Sequence, residues 1–208
     1  MWNRSENQIK LVMIRHGATV SNKEHRYLGT TDESLSEEGR STLYKARKEN
    51  IYSEVEYVFS SPMKRCLETA EILYPNQKPI VIPQWKEMDF GVFEGKNYMD
   101  LQGDARYQTW IDSNGTLPFP EGESREEFIE RCAQGLFNMQ KRLSEMMGEA
   151  NPKVVGVIVH GGTIMSLLSR FHGGEYFDYQ VPNGGGYLCT VNCSSENFEI
   201  VDFSRIDL

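Results

Sequence analysis

Two histidines stand where apolar runs stop. Leu11-Val12-Met13-Ile14 ends at Arg15-His16-Gly17, and the run from Val154 to Val159 ends at His160-Gly161-Gly162. Each run reads as a buried strand, and in an open parallel sheet ligands collect where strands end and the chain turns toward a helix. Two imidazoles delivered this way can face one site, one as nucleophile and the other, with Arg15, holding negative charge. Arg65 extends the pattern: it falls in the first turn of a helix expected after Ser60-Ser61-Pro62. A cation there opposes the helix dipole unless an anion sits beside it.

These residues need elements to hold them. Ser36 can cap a helix that opens with Glu37 and Glu38 and runs to about Asn50. Tyr57-Val58-Phe59-Ser60 is a short buried strand, and Ser61-Pro62 supplies a cap and a first helical position for a helix reaching about Ile72. Pro79-Ile80-Val81-Ile82 is a third strand, feeding a glycine-punctuated segment, Glu87 to Gly95, that reads as an active loop. Residues 97–122 form an irregular excursion rich in aromatics, and a lid-like insertion is expected over about 88–122. Ser124 and Glu127 make a capping box, after which Phe128, Cys132, Leu136, Met139, Leu143 and Met147 recur at spacings of three and four. That stripe is core. A helix from about Thr163 to Phe171, a turn at Gly184-Gly185-Gly186 and strands near 187–193 and 198–203 complete the pattern. Strands alternating with helices predict an α/β fold with a largely parallel sheet, residues 1–208 forming one domain.

The net charge of −8 and isoelectric point near 5.1 argue against nucleic acid as a partner, because neutralising a phosphate backbone needs a dominant basic surface. An anionic substrate must then be small and met by a local basic pocket. No stretch approaches the roughly 18 apolar residues that cross a bilayer, and Asn3-Arg4-Ser5-Glu6-Asn7 lacks the apolar region of a signal peptide, so a cytoplasmic location is expected. Cys66, Cys132, Cys189 and Cys193 form no Cys-x-x-Cys pair and read as reduced, buried thiols. Neither a metal nor a cofactor is assigned.

The order Arg15-His16-Gly17, Thr19, Asn22, Arg65, Glu87 before Phe90-Gly91, and His160-Gly161-Gly162-Thr163 resembles the histidine phosphatase superfamily, also called phosphoglycerate mutase-like. The resemblance spans residues 11 to about 190 and implies a three-layer sandwich, a mostly parallel central sheet flanked by helices. It implies that His16 attacks the phosphorus of a phosphate monoester and carries the phosphoryl group until water removes it. Imidazole suits that task, since near its intrinsic pKa of about 6.5 much of it is unprotonated at neutral pH. Arg15 and Arg65 would each offer a planar fork to phosphate oxygens, Asn22 a neutral donor, and His160 a hydrogen bond to the phosphoryl group in flight. Gly161 would line the phosphate site. Glu87 matches the family's general acid, which demands a raised carboxyl pKa; burial against Met88 or Phe90 would supply it, with a nearby arginine pushing the other way.

Mutase members carry an arginine directly after the acidic residue and an arginine pair in the lid. This chain has Met88 there and only Arg106 between 97 and 124, so hydrolysis is the expected outcome. Glu87-Met88-Asp89-Phe90-Gly91 with Glu94-Gly95, Tyr107-x-x-Trp110 and Pro120-x-Gly122-Glu123-Ser124 looks like the α-ribazole phosphatase branch, which acts in cobalamin nucleotide-loop assembly. The alternative is a broad-specificity phosphatase of sugar or nucleotide phosphates; a mutase or a non-catalytic regulatory relative stands behind both. Phe93 departs from that branch, where many relatives have tryptophan. Tyr98, Tyr107 and Trp110 are candidates to shelter a ring-bearing leaving group. His25 and His172 read as surface or packing residues, Glu94 as a loop-structural carboxylate, and Asn183 as a weaker candidate for the pocket wall.

Overall fold

The computed structural model describes residues 8–147, 153–193 and 198–208. The polar start at Asn3–Asn7 lies outside them, as does the Met147 side chain. Six strands form one sheet: β1 (Gln8–Arg15), β2 (Tyr57–Ser60), β3 (Ile80–Val81), β4 (Val154–Val159), β5 (Gly186–Cys193) and β6 (Phe198–Ile206). Their spatial order is β3-β2-β4-β1-β5-β6. The first three ladders are parallel and the last two antiparallel.

Alternation along β1 builds the layers. Leu11 and Met13 face one core and Val12 and Ile14 the other, all fully buried, as a strand covered on both faces requires. Helices α1 (Val20–Lys23), α2 (Glu37–Lys48), α3 (Lys64–Leu73), α4 (Ala105–Asp112), α5 (Arg125–Met147) and α6 (Gly161–Phe171) surround the sheet. Leu43 of α2 and Cys66, Ala70 and Leu73 of α3 pack on the Val12 side. Phe128, Cys132, Leu136, Met139 and Leu143 of α5, with Ile164, Leu167 and Leu168 of α6, pack on the Leu11 side. The expected three-layer α/β sandwich is therefore present. Truncating a stripe residue such as Leu136 to alanine removes about 2–5 kcal/mol.

Local signals held at most ends. The Ser36 hydroxyl accepts from the Gly39 amide at 3.0 Å, and Ser124 and Glu127 form the reciprocal box at the start of α5. The Ser61-Pro62 start did not hold: α3 begins at Lys64 behind Met63, with no side-chain cap. The Ser61 hydroxyl bonds His160 at 2.8 Å and accepts from the Met63 amide at 3.3 Å, so the tertiary contact is the shorter of the two. The third strand contracts to Ile80–Val81, and within 97–122 the chain forms α4, capped by Asp104 on the Arg106 amide at 2.9 Å. All four cysteines are free and buried.

Candidate active site

The parallel register of β1 with β4 pairs Arg15 with Val159, so the next residues, His16 and His160, leave neighbouring strand ends together. Their ring centroids lie 5.2 Å apart, tilted by 68°. The His16 amide donates to Val159 O at 2.9 Å, and the Arg15 amide to Gly185 O at 2.9 Å. Backbone thus fixes this corner before any side chain does.

His16 is buried, and its Nδ1 lies 2.7 Å from the Gly17 carbonyl. A carbonyl only accepts, so Nδ1 carries the proton and Nε2 keeps its lone pair. Gly17 leaves room for α2, since a Cβ there would come 2.7 Å from the buried Leu43 side chain and force it to shift. Burial, followed by the charges of Arg65 and Arg15, holds the His16 pKa well below its usual value, and the Gly17 contact offsets this only in part. The ring is neutral at physiological pH.

Arg65 is completely buried. It donates to Thr31 O at 2.8 Å and Gly29 O at 3.0 Å. Arg15 donates to Val181 O at 2.7 Å. The Nε of each is buried without a partner, and no ion pair among the described residues involves either guanidinium. Buried cations left this way are costly unless an anion completes them. Burial lowers the Arg15 pKa, an effect opposed by Glu87 and reinforced by Arg65. The Asn22 side-chain oxygen accepts from Thr19 N at 3.2 Å and Asn183 Nδ2 at 3.0 Å. Asn183 also donates to His16 O at 3.1 Å, so it ties the histidine's backbone to Asn22.

Glu87 Oε1 accepts from the Met88 amide at 2.9 Å, and Oε2 lies 3.9 Å from His160 Nδ1. Burial raises the carboxyl pKa; the Met88 amide, Arg65, Arg15 and Arg131 oppose it in that order. Arg131 on α5 holds the segment from behind, donating to Gln84 O at 2.7 Å and Lys86 O at 2.9 Å while paired with Glu123 at 2.7 Å. A Cβ at Gly162 would come 2.7 Å from Glu87 Oε1. His160 is buried, and burial followed by Arg65 and His16 holds its pKa well below the usual histidine value.

A cavity of about 580 Å³ opens above this cluster. Arg15, His16, Asn22, Glu87 and Gly161 line it, whereas Arg65 and His160 are fully buried and stand outside its lining. Its walls are Tyr27, Phe90, Trp110, Phe119, Tyr176 and Phe177. Of the three aromatics expected there, only Trp110 arrives. Tyr98 is 64% exposed and Tyr107 packs on Phe93 and Trp110, while Phe93 is buried in the core and offers no stacking surface. His25, read as a surface or packing residue, is exposed yet lines the cavity. His172 Nδ1 donates to Ile200 O at 2.8 Å, and the ring packs edge-on against Phe203. Glu94 accepts from Gly29 and Thr31 amides, a loop-structural task. Sequence reasoning left out Ser61, Arg125, Arg131 and Gly162; the Pro120-to-Ser124 motif holding Glu123 was the one signal leading toward Arg131.

The sequence profile of the histidine phosphatase superfamily (branch 1) matches residues 11–204. A 2,3-bisphosphoglycerate-dependent phosphoglycerate mutase of Bifidobacterium longum is 28% identical over 188 residues, covering 76% of this chain and 75% of that protein. A glucosyl-3-phosphoglycerate phosphatase of Mycolicibacterium vanbaalenii is 26% identical over 181 residues, covering 85% and 80%. The crystal structure of the alpha-ribazole phosphatase from Shigella flexneri superposes with a TM-score of 0.75 at 19% identity, covering 92% of this chain and 94% of that one. At that identity the likeness speaks to the fold alone.

Proposed function

This chain belongs to the histidine phosphatase superfamily, branch 1, and on that premise we propose that it hydrolyses phosphate monoesters of small metabolites through a phosphohistidine at His16. The observation that carries the reading is the neutral His16 ring, with Nδ1 anchored on Gly17 and two buried guanidiniums beside it. Nε2 forms the bond to phosphorus as the ester bond breaks, and protonated Glu87 gives its proton to the leaving oxygen. Arg15, Arg65, Asn22 and His160 hold the charge spread over the equatorial oxygens. Water then attacks the phosphorus, Glu87 takes its proton, the N–P bond breaks and inorganic phosphate leaves.

Hydrolysis is favoured over phosphoryl shuttling. Met88 follows the acid, and the lid's Arg106 is paired with Asp104 and does not line the cavity. The sequence pattern of residues 87–95, 107–110 and 120–124 supports α-ribazole 5′-phosphate as substrate, with its ring against the aromatic wall and its place in cobalamin nucleotide-loop assembly. The mixed polar and aromatic lining supports the second reading, a broader phosphatase. Four free thiols suit a reducing compartment such as the cytoplasm.

The test is to quench the protein during turnover of a labelled ester. An acid-labile, base-stable phosphoenzyme is expected; a label with the opposite stability overturns the nucleophile. Turnover of α-ribazole 5′-phosphate, adenosine 5′-phosphate, 3-phosphoglycerate and sugar phosphates then separates the two substrate readings, flat rates ending the specific one.

A further inference from the structure

Resting on the phosphomonoesterase reading, we propose that Arg125 is a specificity-determining residue that binds a second anionic group, carboxylate or phosphate, on the leaving alcohol. It opens α5 and lines the cavity. Its guanidinium carbon sits 5.3 Å from the Tyr176 ring centroid and 5.2 Å from that of Phe177. One terminal nitrogen donates to Asn114 O at 3.1 Å and to Gly115 O, which fixes the planar head. The rest of the fork, Nε and the second terminal nitrogen, has no hydrogen-bond partner among the described residues.

No carboxylate pairs with Arg125 among the described residues, although the chain carries thirty acidic residues against twenty-two basic ones. Of its acidic neighbours, Glu123 is engaged with Arg131 at 2.7 Å and Glu127 with Ser124 at 2.7 Å, while Glu126 lines a separate groove beside Gln84 and Glu130. The other cation of the cavity mouth, Arg26, is held by Glu24 and Asp100, each at 2.6 Å. A cavity arginine with two aromatic rings against its head and open donors on its edge is built for a planar or tetrahedral oxyanion. Tyr176 connects it to the phosphate end, its hydroxyl donating to Gly162 O at 3.4 Å beside Glu87. α-Ribazole bears no anion besides its phosphate, so this inference favours the broader substrate reading.

Calorimetry on the His16→Ala protein, which removes the proposed nucleophile, tests this with 3-phosphoglycerate and glycerol 3-phosphate. The two differ by a carboxylate against a hydroxymethyl group. Fructose 1,6-bisphosphate against fructose 6-phosphate repeats the comparison for a second phosphate. At least one pair is expected to show roughly tenfold or greater preference for the more anionic ester, collapsing to within about twofold when Arg125→Gln is added; which pair collapses names the anion. Ratios near one in both pairs, or a ratio that survives Arg125→Gln, overturn the proposal. Should the Gln variant fail to fold, Arg125→Lys, which keeps the charge and loses the fork, is expected to lower the ratio, and an undiminished ratio overturns it. Failure of the phosphomonoesterase reading would show separately, as a protein with Arg125 intact that forms no phosphoenzyme.

Discussion

The two ends of the cavity are built from different material. At the phosphate end, His16, Arg65 and His160 are buried at strand ends and a helix start, with backbone and Ser61 fixing them. At the other end, Tyr27, Trp110, Arg125 and Phe177 sit on loops, short helices and the first turn of α5, and all remain partly exposed. Charges in a dry, fixed setting interact strongly and need no reorganisation during reaction; contacts on wet loops are individually weak. Substitutions should therefore lose orders of magnitude at one end and small factors at the other.

The largest loss is expected at the nucleophile. His16→Ala should lower kcat/KM by about 10⁴-fold or more, the scale of removing an attacking group from an otherwise intact site, with the phosphoenzyme absent. A loss of tenfold or less would make the buried end no more decisive than the lid. Glu87→Gln should cost about 10²–10³-fold and alter the pH profile. The raised pKa keeps Glu87 protonated to higher pH, and the donating form disappears as pH climbs through that value, so wild-type kcat/KM falls on the alkaline side. His16, neutral to well below pH 6.5, adds no acid limb near 6.5. On the same ester, the Gln variant should lose the alkaline limb; its persistence would remove Glu87 from the acid's role.

Stability offers a smaller effect with a definite sign. The folded pKa values of His16 and His160 both lie well below the unfolded value near 6.5, so below pH 6.5 the unfolded chain binds protons that the folded one refuses. Their stability is complete above that pH and drops as pH falls, by up to about 1.4 kcal/mol per pH unit for each ring. Glu87, with its pKa raised, works the other way, losing stability as pH rises from about 4.5 through its folded value, and one carboxyl offsets two imidazoles only in part. The melting temperature should thus fall between pH 7.5 and 5.5 by several degrees. His160→Gln should remove about half of that drop; an unchanged drop would assign the acid sensitivity to other groups.

The same division decides what could be read from the sequence. Strand ends were legible at Gly17 and Gly161 because apolar runs stop there, and the α5 stripe because its period exceeds chance. Glu87 was legible as a carboxylate needing burial, but its neighbours in the fold, His160 and Gly162, come from a distant strand end. Ser61 was read only as a local cap because Ser-Pro is a cap signature; its hydroxyl does accept from the Met63 amide, but its closer contact is His160, ninety-nine residues away. Arg125 and Arg131 carry no motif of their own in the sequence, and only the packing of α5 against residues 84–87 and the Tyr176 turn gives them work. Within 97–122, α4 has eight residues and no buried position, so no periodicity marked which aromatic faces inward.

That last ambiguity gives the finest test of the two-ended picture. Trp110 lines the cavity, stacked on Phe119 with centroids 4.7 Å apart, whereas Tyr98 points its ring largely into solvent. Trp110→Ala should raise KM for adenosine 5′-phosphate by roughly three- to tenfold, a ring contact being worth about 0.5–1.5 kcal/mol beyond its burial, with kcat nearly constant because the ring touches no reacting atom. Tyr98→Ala should leave both constants within about twofold. If Tyr98 matters as much as Trp110, the lid must adopt a different arrangement during turnover, and the aromatic wall described by this conformation is not the one a leaving group meets. If Trp110→Ala instead lowers kcat a hundredfold with KM unchanged, the lid reaches into the phosphate chemistry, and the separation between a rigid reactive end and a forgiving recognition end fails.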